Sequence, residues 1–275
     1  QGKAKFFPES INAKLCTHVI YSFAKMNGNK LHPFEWNDDD TDWSKGMYTR
    51  FHQQVRSTNP KAKTLLAVGG WNMGSAPFTK MVATKAGREE FCHTSIDFLR
   101  RRNFDGLDLD WEYPANRGSP PVDRERFVLL CKDCRLAFER EARETGKNRL
   151  LLTAAVGAGV DTINSAYDVP AMSKYLDFIN VMTYDLHGQW EKETGHQSAL
   201  YPRADESEKN KMLTVSYAMN YYHSKGAPKE KLVVGIPTYG RSFQLVNPAQ
   251  TGPGAAARGG GQAGPRSGGP RYGGE

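Results

Sequence analysis

The chain has 275 residues, 39% of them hydrophobic and 11% aromatic, and a formal net charge of +7. Such content suffices for one sizeable core, and a single α/β barrel needs roughly 250 residues. No apolar run approaches the roughly 18 residues of a membrane span, so no membrane partner is expected. Basic residues alternate with acids, as in Asp123-Arg124-Glu125-Arg126, which reads as solvated helix faces and not as a nucleic-acid footprint. The chain opens on Gln1 without a charged-then-apolar leader, as expected of a processed or partial N-terminus.

In chain order, β-branched apolar runs alternate with longer amphipathic ones. A strand is expected over Thr17–Ala24, a helix near Met47–Ser57, a strand over Thr64–Gly70 and a helix over Phe78–Arg102. A strand at Gly106–Glu112, a helix at Asp123–Glu144 and a strand at Leu150–Val156 follow. The remaining elements are a short helix near Ala171–Tyr175, a strand at Phe178–Tyr184, a helix at Ser207–Lys225 and a strand at Leu232–Tyr239. Strand–helix alternation predicts a parallel sheet with crossover helices, the pattern of a (β/α)8 TIM barrel. Six strands are counted, two short of closure. Gly252–Glu275 is rich in glycine and poor in apolar residues and is expected to be flexible.

Cys131 and Cys134 fall in a helical pattern with Phe127, Leu130 and Phe138, and read as small residues facing the core or a groove. His187 and His196, nine residues apart without a third ligand, read as surface or hydrogen-bonding residues; neither metal nor cofactor is expected.

The most informative stretch is Phe104-Asp105-Gly106-Leu107-Asp108-Leu109-Asp110-Trp111-Glu112-Tyr113-Pro114. Along a strand alternate residues share a face, so Asp108, Asp110 and Glu112 point one way and Leu107, Leu109 and Trp111 the other. Carboxyls stacked on a buried strand repel one another, and at least one holds a proton near neutral pH, as a general acid must.

FDGLDLDWEYP resembles the DGxDxDWE motif of glycoside hydrolase family 18, in the form found in its animal chitinase and chitotriosidase branch. The resemblance runs from about Phe6 to about Gly254. It implies that residues 1–241 are a partial catalytic barrel, about strands 2–7, and that 242–275 begin an α+β insertion and a Gly/Pro/Arg-rich tail. It implies Glu112 as the acid/base and catalysis assisted by the substrate's own 2-acetamido carbonyl, an exception among retaining glycosidases. Asp110 would bind the acetamido N–H and Asp108 would share its proton. In Val181-Met182-Thr183-Tyr184-Asp185, similar to the family's MxYD, Tyr184 would donate to the acetamido oxygen, Asp185 would hold the sugar and Met182 would line the pocket. Trp71 and Asn72, after the paired Gly69-Gly70, would offer an aromatic face and a hydrogen bond.

GIPTYGRSF resembles a further motif of the animal branch, in which Tyr239 and Arg241 would contact the sugar; Trp190 would be a candidate wall, and Phe23 and Tyr113 are weaker candidates. Cys16 would pair with a cysteine on a first strand that this sequence lacks. The implied protein is a secreted monomer acting on chitin or chito-oligosaccharides. The alternative is a chitinase-like lectin, but lectin members typically replace the acid at the position of Glu112, often with Leu or Gln.

Overall fold

The computed structural model describes residues 6–261. Its elements are β1 (His18–Asn27), β2 (Lys30–Pro33), α1 (Met47–Thr58), β3 (Lys63–Gly69), α2 (Ala76–Val82), α3 (Lys85–Arg101), β4 (Gly106–Asp110), α4 (Asp123–Thr145), β5 (Leu151–Gly157), α5 (Val160–Ala166), α6 (Val169–Ser173), β6 (Phe178–Met182), α7 (Glu208–Lys211), α8 (Val215–Ser224) and β7 (Leu232–Val234). The sheet order is β2-β1-β3-β4-β5-β6-β7, with every pair parallel except β1 with β2. All six expected strands are present. β2 was not anticipated: it folds back on the end of β1 through Asn27-Gly28-Asn29, with Gly28 at φ +58°.

The sheet curls as a barrel does without closing. His18 on β1 meets Phe178 on β6 edge to face, with ring centroids 4.9 Å apart, although three strands separate them in the sheet. At one margin Val233 and Val234 of β7 stay 44% and 45% exposed, so this edge of the barrel wall is uncovered among the described residues.

Two long helices expected from the sequence are each divided. Residues 78–102 split into α2 and α3 because the Thr84 side chain accepts a hydrogen bond from Gly87 N and caps a new helix. Residues 207–225 split in the same way at Thr214, which caps α8. Strands also end earlier than expected: β4 at Asp110, β6 at Met182 and β7 at Val234, which leaves Glu112, Tyr184 and Tyr239 in the loops just beyond.

The outward faces of the strands carry the core. Leu66 and Val68 of β3 and Leu107 and Leu109 of β4 are fully buried beneath the helices. Trp111 stacks on Phe78 at 5.0 Å, lies edge-on to Phe127, and donates its indole N–H to Ser75 Oγ at 3.1 Å. This packing locks the chain on both sides of Glu112.

Cys134 is not simply a packing residue. It is disulfide-bonded to Cys92, joining α4 to α3 across 42 residues of sequence, while Cys131 is a free buried thiol and Cys16 is also free. Both cysteines of the CxxC are fully buried, as expected, but their local spacing gives no sign of Cys92 as a partner. Replacing both Cys92 and Cys134 by Ser is expected to cost about 2–4 kcal/mol, from the freed chain entropy of the unfolded state. Denaturant unfolding of the two proteins measures it.

The Gly-rich segment also departs from expectation over its first residues. Thr194 and Lys192 exchange backbone hydrogen bonds with residues 254–257, and Arg258 N donates to Gln244 O. Those pairings satisfy backbone groups that composition alone assigned to solvent. Residues 262–275 of that segment lie outside the described residues.

Candidate active site

Strand register builds the floor of the site. Ala67, Asp108 and Thr153 lie opposite one another on β3, β4 and β5, and Gly69 lies opposite Asp110. Paired glycines admit close neighbours here: a Cβ on Gly69 would fall 1.9 Å from the Asp110 carbonyl oxygen, and one on Gly70 would fall 2.8 Å from the Phe23 ring. The close approach at this point is therefore made by the protein's own backbone and by Phe23, which sits half-buried beneath the turn.

Asp108 is buried and accepts hydrogen bonds from Thr153 Oγ1 and from Asn180 Nδ2, the latter at 3.0 Å. Asp110, one step nearer the mouth, is 8% exposed, yet its Oδ1 has no partner. Glu112 is half-buried at the rim. Burial raises all three carboxyls. Asp110 reaches about 8, because the charges of Glu112 and Asp108 add to its desolvation. Asp108 reaches about 6, where the two hydrogen bonds oppose burial. Glu112 is pushed up by desolvation and held back by the Tyr113 hydroxyl and the Arg117 guanidinium beside it. At neutral pH this triplet holds protons that free carboxyls would release, and it titrates as a set.

Just past β6 lies Tyr184, whose hydroxyl is pushed up to about 12 by burial and by the charges of Asp110 and Glu112. It stays a hydrogen-bond donor across the physiological range. Met182 is half-buried at the end of β6. Asp185 adopts φ +55°, a conformation Asp tolerates better than most residues, and its Oδ1 accepts from Arg241 Nε at 2.7 Å. Tyr239 lies edge-on to Tyr184 at 6.2 Å, and its hydroxyl is raised by burial and by Asp185. Arg241 reaches over both Tyr239 and Trp190, at 5.4 and 5.5 Å. Trp190 folds over Gly188, where a Cβ would strike its ring at 2.3 Å.

Tyr113 packs its ring against Gly157. Trp71 and Asn72 sit in an exposed turn after β3, Trp71 being 58% exposed. The structure thus gathers Asp108, Asp110, Glu112, Tyr113, Tyr184, Asp185, Tyr239 and Arg241 into one charge network, with Trp71 and Trp190 at its margins. Asn72 makes no side-chain hydrogen bond within the described residues, and the half-buried Phe23 ring lies against Gly70. His187 is buried and hydrogen-bonds Glu191 at 2.9 Å, which shapes the loop that carries Trp190.

Sequence reasoning missed Thr153, Asn180, Ser75 and Arg117. Asn180 was findable, since it shares the period-two face of Met182 and Tyr184. Thr153 required the β4–β5 register. Ser75 accepts from Trp111 and donates to the carbonyls of Tyr113 and Asn116, a role set by tertiary contact alone. Arg117 is reached only through a loop bend.

Residues 1–269 match the glycosyl hydrolases family 18. The chain is 47% identical to mouse chitotriosidase-1 over 261 residues, 95% of this chain and 55% of that protein. Among solved structures it resembles an immunomodulatory active chitinase from Trichuris suis, with a TM-score of 0.88 and 43% identity over 94% of this chain and 68% of that one. It also resembles human YKL-39, described as a pseudo-chitinase with retained chitooligosaccharide binding, with a TM-score of 0.88 and 40% identity over 96% of this chain and 70% of that one. The chain spans about half the length of the curated relatives it matches. With a barrel-like sheet whose β4 ends in the acid ladder and a match over nearly its whole length, this chain belongs to glycosyl hydrolase family 18.

Proposed function

We propose that the protein is a chitinase that cleaves β-1,4 links between N-acetylglucosamine units with retention of configuration. The observation that carries this reading is Asp110: a buried carboxyl with one oxygen unpaired, set between Asp108 and Glu112 on one strand face, whose charge is felt at the Tyr184 hydroxyl. A buried polar atom without a partner is costly, and a ligand N–H would satisfy it.

In this reading Glu112 protonates the glycosidic oxygen as the bond to the anomeric carbon breaks. The acetamido carbonyl oxygen of the same sugar attacks that carbon and forms an oxazolinium ring. Asp110 accepts the acetamido N–H and stabilises the developing positive charge, while Tyr184 donates to the carbonyl oxygen and aligns it. Water then opens the ring, with Glu112 taking its proton. Asp108, held by Thr153 and Asn180, takes up the Asp110 proton as the positive charge develops, which leaves Asp110 ionised. Asp185 and Arg241 hold each other at the sugar-hydroxyl side, and Trp71 and Trp190 offer exposed aromatic faces for flanking sugars.

The second reading, a lectin that binds chito-oligosaccharides without cutting them, is favoured by the likeness to YKL-39. Against it stands the complete set Asp108, Asp110, Glu112 and Tyr184 in this chain. The Cys92–Cys134 disulfide supports a secreted protein, since such bonds persist in oxidising compartments. No helix among the described residues is long and apolar enough to cross a membrane.

Oligomers of glucosamine, which lack the acetamido carbonyl, are expected to resist cleavage while the matching N-acetylglucosamine oligomers are cut. Chromatography of both digests tests this. Equal cleavage of the two would remove the acetamido group from the mechanism.

A further inference from the structure

Beside the acid lies a cation that the catalytic cycle above does not use. Arg117 follows the turn after Pro114 and adopts φ +52°. One guanidinium nitrogen donates to two carbonyl oxygens, that of Trp71 at 3.0 Å and that of Glu112 at 2.9 Å. Its guanidinium carbon lies 3.7 Å from the centre of the Trp71 ring. Thus the side chain is pinned from three directions and covers one face of an indole that remains 58% exposed. Arg241 on the other side of the site is neutralised by Asp185. Arg117 has no such carboxylate partner among the described residues; at Glu112 it holds the backbone carbonyl and makes no ion pair with the carboxyl.

We propose that Arg117 is a specificity residue that makes the position beside Trp71 select neutral N-acetylated sugars and reject cationic, deacetylated ones. This rests on the chitinase reading and extends it to the pattern of acetylation along the substrate. A sugar ring stacked on the free face of Trp71 lies roughly 7 Å from the guanidinium, two stacking distances in all. A protonated 2-amino group at that place meets an uncompensated like charge across an apolar ring, whereas an acetamido group carries none. Near a protein surface this repulsion weakens binding about threefold to tenfold. Arrangement on the other side differs in kind, because the Asp185–Arg241 pair presents no net charge there.

The test uses the full-length protein and chitotetraose analogues carrying one glucosamine at each position in turn, at a pH where the amine is protonated. Binding is measured for the wild type, Arg117→Gln and Arg117→Lys, at low and high salt, with cleavage of unmodified chitotetraose followed in parallel. Wild type is expected to discriminate against the amine about threefold to tenfold at one position, and high salt should shrink this. Arg117→Gln should abolish it and Arg117→Lys should retain most of it. Equal discrimination by wild type and Arg117→Gln would overturn the proposal. So would a loss of affinity spread evenly over all positions, which marks a merely structural role. Binding with positional discrimination but no cleavage would sink the chitinase reading while leaving the charge selection standing.

Discussion

Glu112→Gln is expected to lower kcat on chitotetraose by about a thousandfold or more, within the range that a positioned general acid contributes. The amide keeps the size of the side chain but cannot deliver a proton to the leaving oxygen. Its backbone stays fixed, because Trp111 is fully buried against Phe78 and Phe127 and Arg117 grips the Glu112 carbonyl. Oligosaccharide affinity should therefore survive within a few-fold. Steady-state kinetics together with calorimetric binding separate the two effects. Near-normal turnover in the mutant would mean that another group supplies the proton.

Asp110→Asn should separate activity from stability. Turnover is expected to fall by about a hundredfold or more, since the amide can no longer carry negative charge toward the developing cation. Stability should move the other way, and its pH dependence fixes the cause. Burial and the neighbouring acids hold the Asp110 carboxyl at about 8 in the folded protein. An unfolded chain releases that proton near the ordinary carboxylate value of about 4. Between those values the folded state binds more protons than the unfolded one, so stability falls as pH rises through this window. The amide does not titrate. Its advantage over wild type should be small near pH 4 and grow toward pH 8, to the order of 1 kcal/mol or more. Thermal unfolding of both proteins across that range tests the sign. A constant difference between the two would show that Asp110 is not strained by its surroundings.

Much of this architecture was legible in the sequence, and the reason is periodicity. Asp108, Asp110 and Glu112 alternate with Leu107, Leu109 and Trp111, and that alternation fixes which face looks into the barrel and which into the core. The same rule placed Met182 and Tyr184 together. Failures came where tertiary contacts decide. Thr84 and Thr214 divide helices that amphipathic patterns run together, because one capping side chain outweighs a few residues of propensity. Cys92 found Cys134 across two helices, a pairing no local spacing reports. Arg117 carried no signal in the sequence, and only the fold brings it over Trp71. In each case the information lies in which elements become neighbours, not in the residues of one element.

The most direct test of the proposed chemistry is the anomeric form of the first product released from chitotetraose, followed by proton NMR in the opening minutes of the reaction. Cleavage giving the β-anomer first is expected, because attack by the acetamido oxygen and then by water inverts the anomeric carbon twice. Initial release of the α-anomer, or firm binding of the tetramer with no cleavage at all, would contradict it.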